Sequence, residues 1–180
     1  VGYIKILDRD YIELSNLQRQ LLFDEKDIEE NLPKAIAAKR KLELINSEIT
    51  IESELVDVNP TNIEGYIKGM DLVVDATDNF NTRFLINDTA IKYNIPWIYG
   101  GVLGSMGVVS PIIPGKTHCF RCIMPEIPPS GSVATCDTVG IINAIPHIIG
   151  SLEATEALKI LSGNYDKVLK GMMYIDIWDN

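Results

Sequence analysis

Between residues 3 and 102, short apolar runs alternate with segments of helical spacing, and this alternation constrains the fold more than any other feature. "YIKIL", residues 3–7, reads as a buried strand. Asn31, Leu32 and Pro33 offer a capping side chain and a proline suited to a helix start. Ala35, Ile36, Ala38, Leu42 and Ile45 then recur at helical spacing to about Asn46. Ile49, Ile51, Ser53 and Leu55 alternate as a strand, and a short helix fits residues 61–68 before Gly69. "DLVVDAT", residues 71–77, is an apolar strand. A helix follows over about 81–93, with Phe84, Leu85, Ala90 and Ile91 available to a core, and "IPWIYGGV" is the next strand. This succession predicts an α/β fold: a Rossmann-like, doubly wound, mostly parallel sheet with helices on both faces.

The order changes after residue 102. Residues 106–114 read as a strand joined to its predecessor by a short glycine-rich link, which suits an antiparallel turn and not a helical crossover. Residues 119–137 are rich in Pro, Gly and Ser and read as a long irregular segment. A helix over about 139–161 and a last strand in "MMYIDIW" complete the pattern. At 180 residues, a single domain spanning 1–180 is expected.

Composition narrows the partners. Sixteen Lys and Arg against 25 Asp and Glu leave a net charge of -9, whose field repels nucleic-acid phosphates. The most apolar long stretch, 141–161, is interrupted by Pro146, His147, Glu153 and Glu156, so no membrane span is expected. Three cysteines, two of them as C-x-x-C, fit metal or thiol chemistry in a reducing compartment, and the cytoplasm is the expected location. The chain starts at Val1 close to an apolar strand, without a glycine-rich loop before it, which suggests a fragment.

In a doubly wound fold, ligands bind beyond the carboxyl ends of the strands. Three polar clusters fall there: Asp8 to Asp10, Asp57 with Asn59, and Asp75 to Asn79. If a strand and a glycine loop precede Val1, Asp8 stands where a Rossmann unit places an acid on a nucleotide ribose, and it equally suits the start of a solvated loop. "SNLQRQ", with Ser15, Asn16, Leu17, Gln18 and Arg19, offers hydroxyl, amide and guanidinium groups to phosphate oxygens, Arg19 bidentately. Lys34 adds a point charge at a helix start that already favours anions. Asp78, with Asn79, can hold Mg2+ against substrate phosphates, with Arg83 one turn away as its pairing partner; a helix N-cap is the plainer role for either residue. Cys119 and Cys122 have metal-ligand spacing, and zinc fits better than a redox dithiol because the pair enters a proline-rich loop and not a helix start. Cys136, just before a helix, is placed either to be nucleophilic or simply to be small and buried.

In this order, "DRDYIELSNLQRQ", "NLPKA", "DATDNFNTR", "GGVLGSMG", "CFRC", "TCDTVG" and "GSLEATEALKIL" resemble the ThiF/MoeB/HesA family, bacterial relatives of ubiquitin-activating enzymes. The resemblance runs across nearly the whole chain. It implies adenylation of the C-terminal Gly-Gly carboxylate of a ubiquitin-like sulfur carrier, of ThiS or alternatively MoaD type, by a homodimer using ATP and Mg2+. Asp8 would then hold the ribose, Ser15 to Arg19 and Lys34 the phosphates, and Asp78 with Asn79 the magnesium and the reacting centre. Cys119 and Cys122 match half of the family's Zn2+ site, whose other pair would lie beyond Asn180, and Cys136 matches a cysteine of sulfur transfer. An NAD-dependent oxidoreductase would explain Asp8 but leaves Arg19, Lys34 and Asp78 without a shared task. A non-catalytic carrier-binding module is the other alternative.

Overall fold

The computed structural model describes residues 1–129 and 139–179. They group into two compact units, Val1–Val58 and Asn59–Asn180.

In the first unit β1 (Tyr3–Asp8) pairs in parallel with β2 (Thr50–Leu55), in register from Tyr3 opposite Thr50 to Asp8 opposite Leu55. Charges reinforce that register: Lys5 Nζ lies 3.2 Å from both Glu52 and Glu54, and the Tyr3 hydroxyl donates to Glu52 at 2.8 Å. Between the strands lie α1 (Glu25–Glu29) and α2 (Lys34–Ile45). The α2 helix packs on β2 and β1 through the buried Ala35, Ala37 and Ala38, small side chains that let it approach closely. Ile45 points to solvent instead of joining that face. The helix start also differs from expectation. Pro33 is the N-cap, with φ -61° and ψ 141°, while Asn31, at a left-handed φ of 51°, closes α1 instead, its N–H donating to the Ile28 carbonyl at 2.9 Å and that of Leu32 to the Asp27 carbonyl at 3.1 Å.

In the second unit the strand order is β3 (Val73–Val74), β4 (Trp97–Leu103), β5 (Met106–Ile112), β6 (Met173–Asp176). β3 and β4 are parallel; β4–β5 and β5–β6 are antiparallel. The fold is therefore mixed α/β, with the change to antiparallel pairing where the short link predicts it. Leu103 pairs with Met106, so only Gly104 and Ser105 form the loop, and Gly104 adopts the positive φ of 61° that such two-residue hairpins demand.

Around this sheet lie α3 (Ile63–Ile67), α4 (Phe80–Lys92), α5 (Phe120–Ile123) and α6 (Ala144–Leu161). α6 packs on β4 and β5, and Ile98, Val109, Ile113, Ile160 and Val168 form a core between them. A second apolar centre joins Phe84, Trp97, Tyr99 and Phe120, with ring centroids 4.9 to 5.8 Å apart for Phe120 and its three neighbours. On α4 the buried apolar set is Phe84, Ile86 and Ala90; Ile91 is exposed.

Candidate active site

β1 ends at Asp8, whose Oδ1 accepts the Asp10 N–H at 2.9 Å and turns the chain. The loop so formed is fastened to the head of α2. Lys34, the first residue of the helix, donates its N–H to the Asp10 carbonyl at 2.9 Å, and its Nζ reaches Asp10 Oδ2 at 3.2 Å. Most of the Lys34 stem is buried, with 14% of the side chain exposed, so the ammonium has little freedom to leave this loop. Burial pushes the Asp8 carboxyl above its ordinary value, while the Asp10 N–H and Lys34 pull it back.

The segment "SNLQRQ" begins in a single 3-10 turn, Leu14–Asn16. Asn16 is buried, and its amide oxygen accepts the Glu13 N–H at 3.1 Å, so this side chain builds the turn. The Ser15 hydroxyl donates to Glu13 at 3.4 Å, Leu17 is half-buried and Gln18 exposed. Arg19 donates from Nη1 to the Ser15 carbonyl at 3.1 Å, and no carboxylate among the described residues pairs with it. A guanidinium anchored at one nitrogen keeps four further N–H donors for an anion.

In the second unit, β3 stops after two residues because a side chain takes over the backbone. Asp75 is 1% exposed; its Oδ1 accepts both the Thr77 N–H at 2.8 Å and the Thr77 hydroxyl at 2.7 Å. Its Oδ2 accepts Arg83 Nε at 3.1 Å. Arg83, itself buried, donates from Nη2 to the carbonyls of Thr77 and Gly100 and lies 5.1 Å from the Tyr99 ring centre. Arg83 thus pairs with Asp75 and not with Asp78. Burial raises the Asp75 carboxyl, opposed by Arg83 and by the two bonds from Thr77. Spacing alone missed this pair, although an arginine eight residues after a strand-end acid was visible in the sequence.

The turn that Arg83 and Asp75 hold presents Asp78 and Asn79. Asn79 is the N-cap of α4, its Oδ1 accepting the Thr82 N–H at 2.9 Å, while Asp78 is exposed and meets the Asn79 amide at 3.5 Å. The capping role falls to Asn79, which leaves the Asp78 carboxylate open to solvent.

Cys119 is the N-cap of α5, and one helical turn brings its Sγ to 3.5 Å from that of Cys122. The expectation that this pair avoids a helix start is corrected, because the short helix begins at Phe120. The sulfurs are separated by nearly the edge of a zinc tetrahedron with bonds of about 2.3 Å. Asn87 accepts the Phe120 N–H at 2.9 Å and Asp88 pairs with Arg121 at 2.6 Å, which fixes α5 on α4. No cluster of three or more His, Cys, Asp or Glu able to hold a metal occurs among the described residues. Cys136 lies outside the described residues.

Parallel strands ending in acids, Asp8 in the first unit and Asp75 in the second, put the chain in the α/β class, whose members as a rule bind ligands at strand ends. The chain belongs to the ThiF family, whose model matches residues 1–180. It is 43% identical over its whole length to the sulfur carrier protein ThiS adenylyltransferase of Bacillus subtilis, covering 52% of that protein. It is 38% identical to the sulfur carrier protein adenylyltransferase of Thermus thermophilus, over 91% of this chain and 61% of that one. The crystal structure of E. coli MccB with ATP matches with a TM-score of 0.75 at 26% identity, over 97% of this chain and 53% of the other. The chain spans about half the length of the Bacillus relative.

Proposed function

We propose that this protein adenylates the C-terminal Gly-Gly carboxylate of a ThiS-like, ubiquitin-like sulfur carrier with ATP, releasing pyrophosphate. The observation that carries this reading is Arg19, a guanidinium with no carboxylate partner among the described residues, on the segment that follows the carboxyl end of β1. The two relatives' names supply the reaction and the carrier class. Asp8 takes the ribose; Ser15, Leu17, Gln18 and Arg19 line the phosphates with Lys34, while Asn16 serves by shaping the turn. The uninterrupted family match supports treating residues 1–180 as one adenylation domain.

The carrier carboxylate is already a nucleophile, so no general base is required. The protein's task is to position the carboxylate in line with the α-phosphate and to offset the charge that develops on the leaving pyrophosphate. Lys34, held beside Asp10, contributes a fixed positive charge toward phosphate oxygens, and Arg19 binds them as a fork. Exposed Asp78 would hold Mg2+, which would supply positive charge to offset that of the phosphates. Cys119 and Cys122 would supply two of the four ligands of a structural Zn2+. Cys136 is the proposed thiol of sulfur transfer. On this reading the protein acts as a homodimer in the cytoplasm.

ATP–pyrophosphate exchange with the purified protein tests the reading. Exchange should require a Gly-Gly-ended carrier, be faster with a ThiS-like than a MoaD-like carrier, and fall at least a hundredfold in Asp78→Ala. Carrier binding without exchange would favour a non-catalytic module, and undiminished exchange in Asp78→Ala would remove that residue from the reaction.

A further inference from the structure

A third ionisable group shares the buried cluster of Asp75 and Arg83, and the proposed reaction gives it no task. Glu153, in the middle of α6, is 8% exposed, and its Oε1 has no hydrogen-bond partner among the described residues. The carboxyl rests directly on β4 at Gly100, where any Cβ would collide with it. Gly100 is also the residue whose carbonyl accepts Arg83 Nη2 at 3.3 Å. Two carboxyls and one guanidinium therefore meet around a single glycine, and Arg83 bonds to only one of the two acids.

We propose that Glu153, seated on Gly100 beside Asp75 and Arg83, is a positioning residue that governs how firmly Arg83 holds the turn presenting Asp78 and Asn79. The inference rests on the adenylation reading only for what that turn does. An uncharged Glu153 leaves the guanidinium to Asp75 Oδ2 and to the Thr77 and Gly100 carbonyls. An ionised Glu153 would place a second negative charge beside the same cation and compete for it, loosening the bond to the Thr77 carbonyl. The neighbourhood favours the uncharged form. Burial first, and then the Asp75 charge, push the Glu153 carboxyl up to about 8, with Arg83 acting in the opposite sense. The charged and titratable groups facing it are Asp75 beyond β3, Arg83 on α4 and, through Arg83, Tyr99 on β4, whose hydroxyl burial also raises. On its own helix the nearest acid, Glu156, is committed to Lys159 and the Leu169 N–H.

Glu153→Gln keeps the shape and cannot ionise. The ratio of the exchange rate at pH 9 to that at pH 7 should be about tenfold lower in the unmodified protein than in Glu153→Gln, since one ionisation above pH 8 costs roughly a factor of ten per unit. Superimposable pH profiles would overturn the proposal. Hydrogen exchange at the Thr77 amide, which bonds to Asp75, is an arm independent of catalysis. Its protection factor should fall between pH 7 and 9 in the unmodified protein and stay level in Glu153→Gln. If no carrier supports exchange at any pH, the adenylation reading fails while the amide measurement still decides the role of Glu153; equal protection in both proteins would end it.

Discussion

Arg19 and Arg83 show how differently one side chain can be used within one chain. Arg83 is buried, bonded at Nε and Nη2, and stacked beside Tyr99; its work is to hold backbone. Arg19 is tethered once, to a carbonyl, and keeps its remaining donors outward. Charge-assisted hydrogen bonds are worth roughly 1.5 to 3 kcal/mol each, and about 1.4 kcal/mol is tenfold in rate. Arg19→Ala should therefore lower ATP–pyrophosphate exchange ten- to a hundredfold or more while leaving the unfolding midpoint unchanged. Arg19→Lys should recover only part of the loss, because an ammonium lacks the planar fork. Steady-state exchange beside thermal unfolding separates these outcomes, and a comparable loss of stability in Arg19→Ala would contradict the assignment. The candidate binding residues were legible because hydroxyl, amide and cationic groups sit close together in sequence after a strand. The Asp75–Arg83–Glu153 cluster was not, since Glu153 arrives from a helix 70 residues further on and no local pattern announces its neighbours.

Among elements, the seating of α6 on the sheet depends on two glycines, Gly100 and Gly107, that let the helix come close. A Cβ at Gly107 would collide with Ile149 and touch Ile145, both buried on α6. Gly107→Ala should destabilise by about 1 to 3 kcal/mol, the usual cost of overpacking. Gly150, on the same helix but with open space around it, should behave oppositely: Gly150→Ala is expected to stabilise by about 0.5 to 1 kcal/mol through helix propensity. Denaturant midpoints check both signs, and a destabilised Gly150→Ala would show that the space is not open. Long elements could be read from periodicity. The α1 and α5 helices, at five and four residues, are too short to display a face and escaped notice, whereas α3, as short as α1, was legible because Gly69 marks its end. β3 was overestimated because Asp75, within an apolar run, bonds Thr77 and ends the strand early.

For the whole molecule, Glu153 sets a slope of stability against pH. Its folded-state value, about 8, lies above the ordinary 4.5, so the native protein binds this proton more tightly than the unfolded chain does. The contribution is complete below about pH 4.5, shrinks as pH rises, and is gone above pH 8, with a slope of at most roughly 1.4 kcal/mol per unit. Asp75, also raised, acts in the same sense. Between pH 5 and 8, unfolding free energy should decline less steeply in Glu153→Gln than in the unmodified protein; parallel curves would mean that the carboxyl is ionised throughout. The aromatic centre makes such curves readable without a label. Of the two tryptophans, Trp97 is wholly enclosed near Phe120 and Tyr99, and Trp178 is 76% exposed. They form an internal pair of fluorophores: Trp97 emits from an apolar cage shielded from iodide, and Trp178 serves as the solvent reference. Light from Trp97 thus reports the ring cluster that backs both Arg83 and the paired thiols.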